Sequence, residues 1–304
     1  MTADRPKVLK AYGALPGADR VLEFGDLGSW RPKLVATDLD GTLLDSEGEV
    51  SPRTRAALTA CWDAGIPVVG VTGRGPRLLD SVLEALDGRG IAVLAQGGYV
   101  VDLERDEVLR TVGLPRAQAQ AVVDRIEAVA GDLIMAVEDA ADQAAARGHG
   151  VLRVQHGFDW PYPEPAQLLS KHEVLPPGAV LKVFLRSSTL DQDELLARAQ
   201  RVVDPTDAEV THAGLGFIEV LPPGITKATG LAVALERYGV GFGDVLVFGD
   251  MPNDLPMIEA VTEAGGRAVA VANAHPAVRA AAGQLTGGHD ADGVARYLEA
   301  VLDV

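Results

Sequence analysis

From residue 33 onward the chain alternates short apolar runs with stretches whose hydrophobic positions recur every three or four residues. PKLVATDLD is an apolar run that ends in acids, the pattern of a buried strand and the loop after it. SPRTRAALTACWDAG follows, with Ser51 as N-cap, Pro52 at the first helical position and Gly65 as the stop, and it predicts a helix. IPVVGVTGR predicts a second strand, PRLLDSVLEAL a helix and IAVLAQ a third strand. Strands alternating with helices imply a parallel sheet covered by helices on its faces.

The rhythm changes after Gly98. YVVDLE and EVLRTVGL predict a hairpin, and a helix follows from about Pro115 to Ala130. Between Leu133 and Leu221 short strands (LIMAVE, VLRVQH, AVLKVFLR, GFIEVL) mix with two helices and a Pro-rich loop, WPYPEPAQ. The strand–helix alternation returns after Pro222-Pro223 with TKATGLAVALERYG, VLVFGD, LPMIEAVTEAG, AVAVAN, HPAVRAAAG and GVARYLEAVL. The expected fold class is therefore α/β, a Rossmann-like parallel-sheet core interrupted by a smaller α+β unit. The expected division is an extension over 1–30, a core over 31–113 and 221–304, and an insertion over 114–220.

Composition narrows the partners. The 304 residues carry 27 Lys plus Arg against 43 Asp plus Glu, a net charge of −16. Nucleic acid and anionic membranes are held by clustered cations, so neither is an expected partner, whereas a small phosphorylated molecule is not excluded. No apolar run is long enough to cross a bilayer, and MTADRPKVLKAYGALPGADR lacks the apolar centre of a signal peptide, so a cytoplasmic protein is expected. Cys61 is the single cysteine, which excludes an internal disulfide and fits a buried core thiol. His149, His156, His172, His212, His275 and His289 show no i, i+4 pair of the kind a helical zinc site needs, and each is expected at the surface or bonded locally. No P-loop run is present.

Chemistry concentrates at strand ends. In VATDLDGTLLD, Asp38 and Asp40 are two residues apart at the end of a strand, which turns both carboxylates to one side. Gly41, Thr42 and Leu43 complete a run too specific for an acidic turn alone. Thr72 ends the strand in VVGVTGR, and Lys227 opens a helix in PPGITKATGL, where the helix dipole disfavours a cation and therefore points to anions nearby. VFGDMPNDLPMI supplies Asp250, Asn253 and Asp254, and an acid closing a buried strand needs a partner for its charge. All of them fall at the edge where open α/β sheets bind ligands.

These four motifs, in this order and over nearly everything from residue 33 onward, resemble the haloacid dehalogenase superfamily. Only residues 41–72 lie between Asp40 and Gly73, whereas 73–226 separate Thr72 from Lys227, so the insertion resembles the cap of the Cof-like subfamily, with a cap of C2 type. The resemblance implies an enzyme, a phosphatase of small metabolites such as a sugar phosphate or phosphorylated cofactor. A phosphomutase is the alternative, and a non-catalytic regulatory protein a further one. Gathering Asp38, Asp40, Asp250 and Asp254 with a phosphate monoester demands a counter-cation, and all-oxygen ligands suit Mg²⁺. By motif position the resemblance implies Asp38 as nucleophile and Asp40 as general acid and base. It implies Asp38, Asp250 and the Asp40 carbonyl as metal ligands, and Thr72, Gly73 and Lys227 as holders of the phosphoryl oxygens. It implies that Asn253 and Asp254 orient the metal shell, and Asn273 is expected to help position the fourth-motif loop. Gln96-Gly97 stands where the subfamily has Asn-Gly, and Val271 or Ala272 where it has Met. Oligomeric state is not read from this sequence.

Overall fold

Leu34–Thr37 (β1) is a four-residue run, too short for a stable helix, whose residues are all buried. That is the signature of a strand covered on both faces. It forms the middle of an eight-stranded sheet in the computed structural model, which describes residues 30–140, 152–160, 166–212 and 216–303. Helix α1 (Pro52–Asp63) starts as its sequence dictates, with the Ser51 side chain accepting from the Thr54 amide and Pro52 in the first turn. Then come β2 (Val68–Val71), α2 (Leu79–Ala85), β3 (Ile91–Leu94) and the hairpin β4 (Tyr99–Asp102) and β5 (Glu107–Thr111).

The chain then builds a second sheet. Its elements are β6 (Leu114–Pro115), α3 (Arg116–Ala130), β7 (Leu133–Asp139), β8 (Leu152–Gln155), β9 (Ala166–Leu169), β10 (Ala179–Ser187), α4 (Gln192–Val202), β11 (Glu209–His212) and β12 (Ile218–Leu221). The return to the first sheet runs through α5 (Lys227–Tyr238), β13 (Val245–Gly249), α6 (Leu255–Glu263), β14 (Arg267–Ala270), α7 (Pro276–Ala281), β15 (Gln284–Leu285) and α8 (Gly293–Leu302).

The first sheet has the order β15-β14-β13-β1-β2-β3-β4-β5 and is parallel from β15 to β3, with β4 and β5 antiparallel at the edge. From β1 the chain steps outward through β2 and β3, and later outward the other way through β13 and β14. The reversal between β1 and β13 is the topological switch point, where such sheets open a ligand crevice. The Asp38 amide donates to the Phe248 carbonyl at 3.1 Å and so continues the β1–β13 ladder into the crevice.

The second sheet has the order β11-β12-β10-β7-β8-β9. Its Val137, Val183, Leu185, Ile218 and Val220 pack with α3 and α4 in one apolar cluster. The opposite face carries Ala136, Phe184 and Phe217 with Phe158 and Trp160.

Three strands escape the sequence reading. β9, β11 and β15 are short, and β9 and β15 lack a buried residue, so no apolar alternation marks them. Ala166 and Gln167, read from sequence as loop, pair in β9 with β8. Among the described residues between Leu133 and Leu221 one helix is present, α4, where two were expected. The N-terminal extension through Ser29, His149 and Pro161–Pro165 of the Pro-rich loop lie outside the described residues. Cys61 is buried, and desolvation pushes its thiol up to about 12, so it is an inert core group. No helix among the described residues is long and apolar enough to cross a membrane.

Candidate active site

Three adjacent strands deliver the site. β13, β1 and β2 lie side by side, and the residues that follow their last pairs are Asp250, Asp38 and Thr72. Parallel pairing aligns these ends at one edge, which is why residues far apart in sequence meet there.

Asp38, Asp250 and Asp254 are all buried, and one carboxylate oxygen of each lies within 4.8 Å of the others. Lys227, the first residue of α5, is 1% exposed and reaches into this group. Its ammonium donates to Asp38 Oδ1 at 2.7 Å and to Asp254 Oδ1 at 2.6 Å. The cation that the helix dipole disfavours at this position is thus stabilised by two carboxylates. Burial works to lower the Lys227 pKa, but Asp254 and Asp38 outweigh it and hold the ammonium charged.

Asp254 accepts three hydrogen bonds, the first from Lys227. Its other oxygen accepts the backbone amides of Asp250 and Met251 at 2.8 and 2.9 Å, which fixes the loop that carries Asp250. Asp250 receives one bond, from Thr42 Oγ1 at 3.0 Å. Desolvation first, and then the neighbouring Asp38, push Asp250 well above the ordinary carboxylate range. Desolvation likewise raises Asp38 to about 7 against the opposing pull of Lys227. Three carboxylates facing one ammonium leave an excess of negative charge in a dry pocket. A divalent cation held by oxygen ligands removes that excess, so the residues present fit a divalent metal, with Asp38 and Asp250 placed to hold it.

Gly41 is needed here on two counts. Its φ is +80°, and a Cβ at this position would sit 2.5 Å from Asp250 Oδ2. Its carbonyl accepts from Asn273 Nδ2 at 2.7 Å, and Asn273 Oδ1 accepts from the His289 amide at 3.0 Å, so Asn273 pins the first-motif loop.

Asp40 does not join the acidic cluster. Its carboxylate is about half exposed and is gripped by Arg74, Nε to Oδ2 at 2.9 Å and Nη2 to Oδ1 at 2.6 Å. The sequence reading missed Arg74, although it lies two residues beyond Thr72 in the same turn. The Thr72 hydroxyl accepts from the Arg74 amide at 3.0 Å, which shapes that turn. Asn253 donates to Gln96 Oε1 at 3.2 Å. Gln96 belongs to a turn with left-handed φ at both Ala95 and itself, 49° and 59°, and is 3% exposed. The structure therefore brings together Asp38, Lys227, Asp250 and Asp254, sets Asp40 at the rim, and places Asn253 and Asn273 in the supporting loops. Among the histidines, His156, His172 and His275 are exposed, and the half-buried His212 and His289 bond to Gln192 and Ser46.

The model of the haloacid dehalogenase-like hydrolases matches residues 35–298. The chain belongs to that family. It is a hydrolase of the Cof-like type. It is 27% identical to a 5-amino-6-(5-phospho-D-ribitylamino)uracil phosphatase of Bacillus subtilis, over 89% of this chain and 98% of that protein. It is 28% identical to a pyridoxal phosphate phosphatase of Escherichia coli, over 88% of this chain and 97% of the other. Among solved structures, a haloacid dehalogenase-like hydrolase from Bacteroides thetaiotaomicron superposes with a TM-score of 0.68 at 25% identity, covering 90% of this chain and 99% of that one.

Proposed function

We propose that this phosphoric monoester hydrolase is a magnesium-dependent phosphatase of small phosphorylated metabolites, a sugar phosphate or a phosphorylated cofactor, and that Asp38 becomes phosphorylated during turnover. The observation that carries the reading is Asp38 itself: a buried carboxylate with one oxygen on Lys227, a second acid beside it, and Asp40 two residues away at the open rim. Lys227 on Oδ1 orients the carboxylate and leaves Oδ2 to attack phosphorus.

In the first half-reaction a bond forms between Asp38 Oδ2 and phosphorus while the ester P–O bond breaks. Asp40 gives its proton to the departing alkoxide oxygen. In the second, Asp40 takes a proton from water, the water oxygen attacks phosphorus, and the acyl-phosphate bond breaks to return Asp38 and inorganic phosphate. Lys227 and the Thr72–Gly73 turn hold the phosphoryl oxygens. Asp38, Asp250 and the Asp40 carbonyl would hold Mg²⁺, which, when bound, offsets the negative charge of carboxylates and phosphate. Asn253, Asp254 and Asn273 keep the ligands in place. The net charge of −16 and the absence of a spanning helix among the described residues support a cytoplasmic reaction on small molecules rather than on nucleic acid or a membrane.

The test is phosphate release from p-nitrophenyl phosphate by the full chain. Turnover should require added magnesium, stop with EDTA and vanish in Asp38→Asn. Full activity under chelation or in that variant would refute the assignment.

A further inference from the structure

Strand periodicity places Glu138 on β7, Lys182 on β10 and Glu219 on β12 on the face of the second sheet opposite α3 and α4. Register sets them together: Glu138 pairs directly with Lys182, and Glu219 with Phe184, two residues along β10. On a free-standing sheet such a face would be the wet one. Here the three side chains are 0, 2 and 3% exposed, because the face lies on the catalytic crevice. Lys182 donates to the Gly73 carbonyl in the phosphate-holding turn and to Glu219 Oε1 at 2.8 Å. Glu219 Oε2 accepts from Gln96 Nε2 at 2.8 Å, and Gln96 in turn holds Asn253 of the fourth motif. Glu138 sits against Gly75, where a Cβ would fall 1.6 Å from Oε1.

Glu138 is the anomaly. Both its oxygens are buried without a hydrogen bond, the nearest cations being Arg77 Nε at 3.5 Å and Lys182 Nζ at 4.0 Å. Asn253 Oδ1, at the opposite end of the same network, is also buried without one. Buried acceptors of this kind require a partner. The buried donors Arg77 Nε and Nη1 line the same spot as the Glu138 oxygens, so what completes the network must both donate and accept hydrogen bonds, as a hydroxyl does. Charge selects further. Glu138 and Glu219 are matched by Lys182 and Arg77, so the network is already balanced and an added acid would be an unmatched buried charge.

We propose that Glu138, Lys182 and Glu219 form the subsite for the leaving group, and that they select an uncharged leaving group rich in hydroxyl or amino donors over one bearing a second acid. The proposal rests on the phosphatase reading above. A phosphoryl group between Asp38 and the Thr72–Gly73 turn places its alcohol beneath this face, where hydroxyl or amino protons meet the Glu138 carboxylate.

The test compares kcat/KM for three monoesters with the magnesium-loaded full chain: p-nitrophenyl phosphate, sorbitol 6-phosphate and 3-phosphoglycerate. The wild type should favour the polyol phosphate over 3-phosphoglycerate by at least about tenfold. Glu138→Gln keeps the shape but removes the charge, and should shrink that preference by about tenfold, with 3-phosphoglycerate gaining relative to both other substrates. A purely structural role for Glu138 would lower all three in proportion. That result, or wild-type enzyme that prefers the acid-bearing ester, overturns the proposal while leaving the phosphatase reading intact. Failure to hydrolyse any of the three sinks both.

Discussion

Two polar regions face each other across the crevice, and they are wired differently. At the edge of the first sheet every acid is engaged: Asp38 and Asp254 on Lys227, Asp254 also on two amides, Asp250 on Thr42 and Asp40 on Arg74. On the facing side of the second sheet Glu138 has cations close by and no hydrogen bond. Chemistry on a phosphoryl group is the same for every substrate, so its residues can be held in place by the protein itself, and preorganisation is what lowers the barrier. Recognition needs groups left wanting until the correct molecule arrives.

The contrast has sharp consequences. Lys227→Met should have the largest effect, since it strands buried acids without their cation. Urea unfolding should show a loss of about 3–5 kcal/mol, and turnover should fall by at least about a thousandfold. The factor should be the same for every monoester, and a factor that varied with the leaving group would erase the distinction between the two regions. Gly41→Ala comes next. The left-handed backbone and the approach to Asp250 predict a displaced first-motif loop, with kcat reduced about a hundredfold across a substrate panel. A loss confined to some substrates would mean that Gly41 serves recognition after all.

The smallest effect is on pH. Because the folded pKa of Asp38 is raised from 3.8 to about 7, the folded metal-free protein holds a proton that the unfolded chain has lost across that window. Its stability therefore declines as pH rises through the window. Bound metal takes the place of the proton, so the thermal stabilisation that magnesium gives should grow from about pH 5.5 to about pH 8, by a few degrees. A stabilisation independent of pH would place the ion away from Asp38.

Much of the first region was legible in the sequence because local rules write it. Short apolar runs of four or five residues became β1, β2, β3 and β13, and the acids that follow β1 and β13 had to converge once those strands were parallel. Lys227 was conspicuous because it violates the dipole preference at a helix start. The second region was opaque for the opposite reason. Glu138, Lys182 and Glu219 look like ordinary wet-face residues of half-exposed strands, and only the docking of one sheet over another dries them. Gln96 was noticed for standing where an Asn is usual, but its two partners, Glu219 and Asn253, lie 123 and 157 residues away. Arg74 was overlooked because the pairing with Asp40 links the ends of two strands rather than neighbours in one motif.

The two segments that join the sheets both run past Gly98, whose added Cβ would meet the Val112 carbonyl at 3.4 Å and the Ile225 side chain at 3.8 Å. The whole intervening stretch is thus spliced in at a single spot on the margin of the hydrolytic scaffold. Lengthening, trimming or exchanging it would leave the alignment of β13, β1 and β2 untouched. A lineage could rewrite which molecules it accepts, one graft at a time, without reinventing how it cuts them.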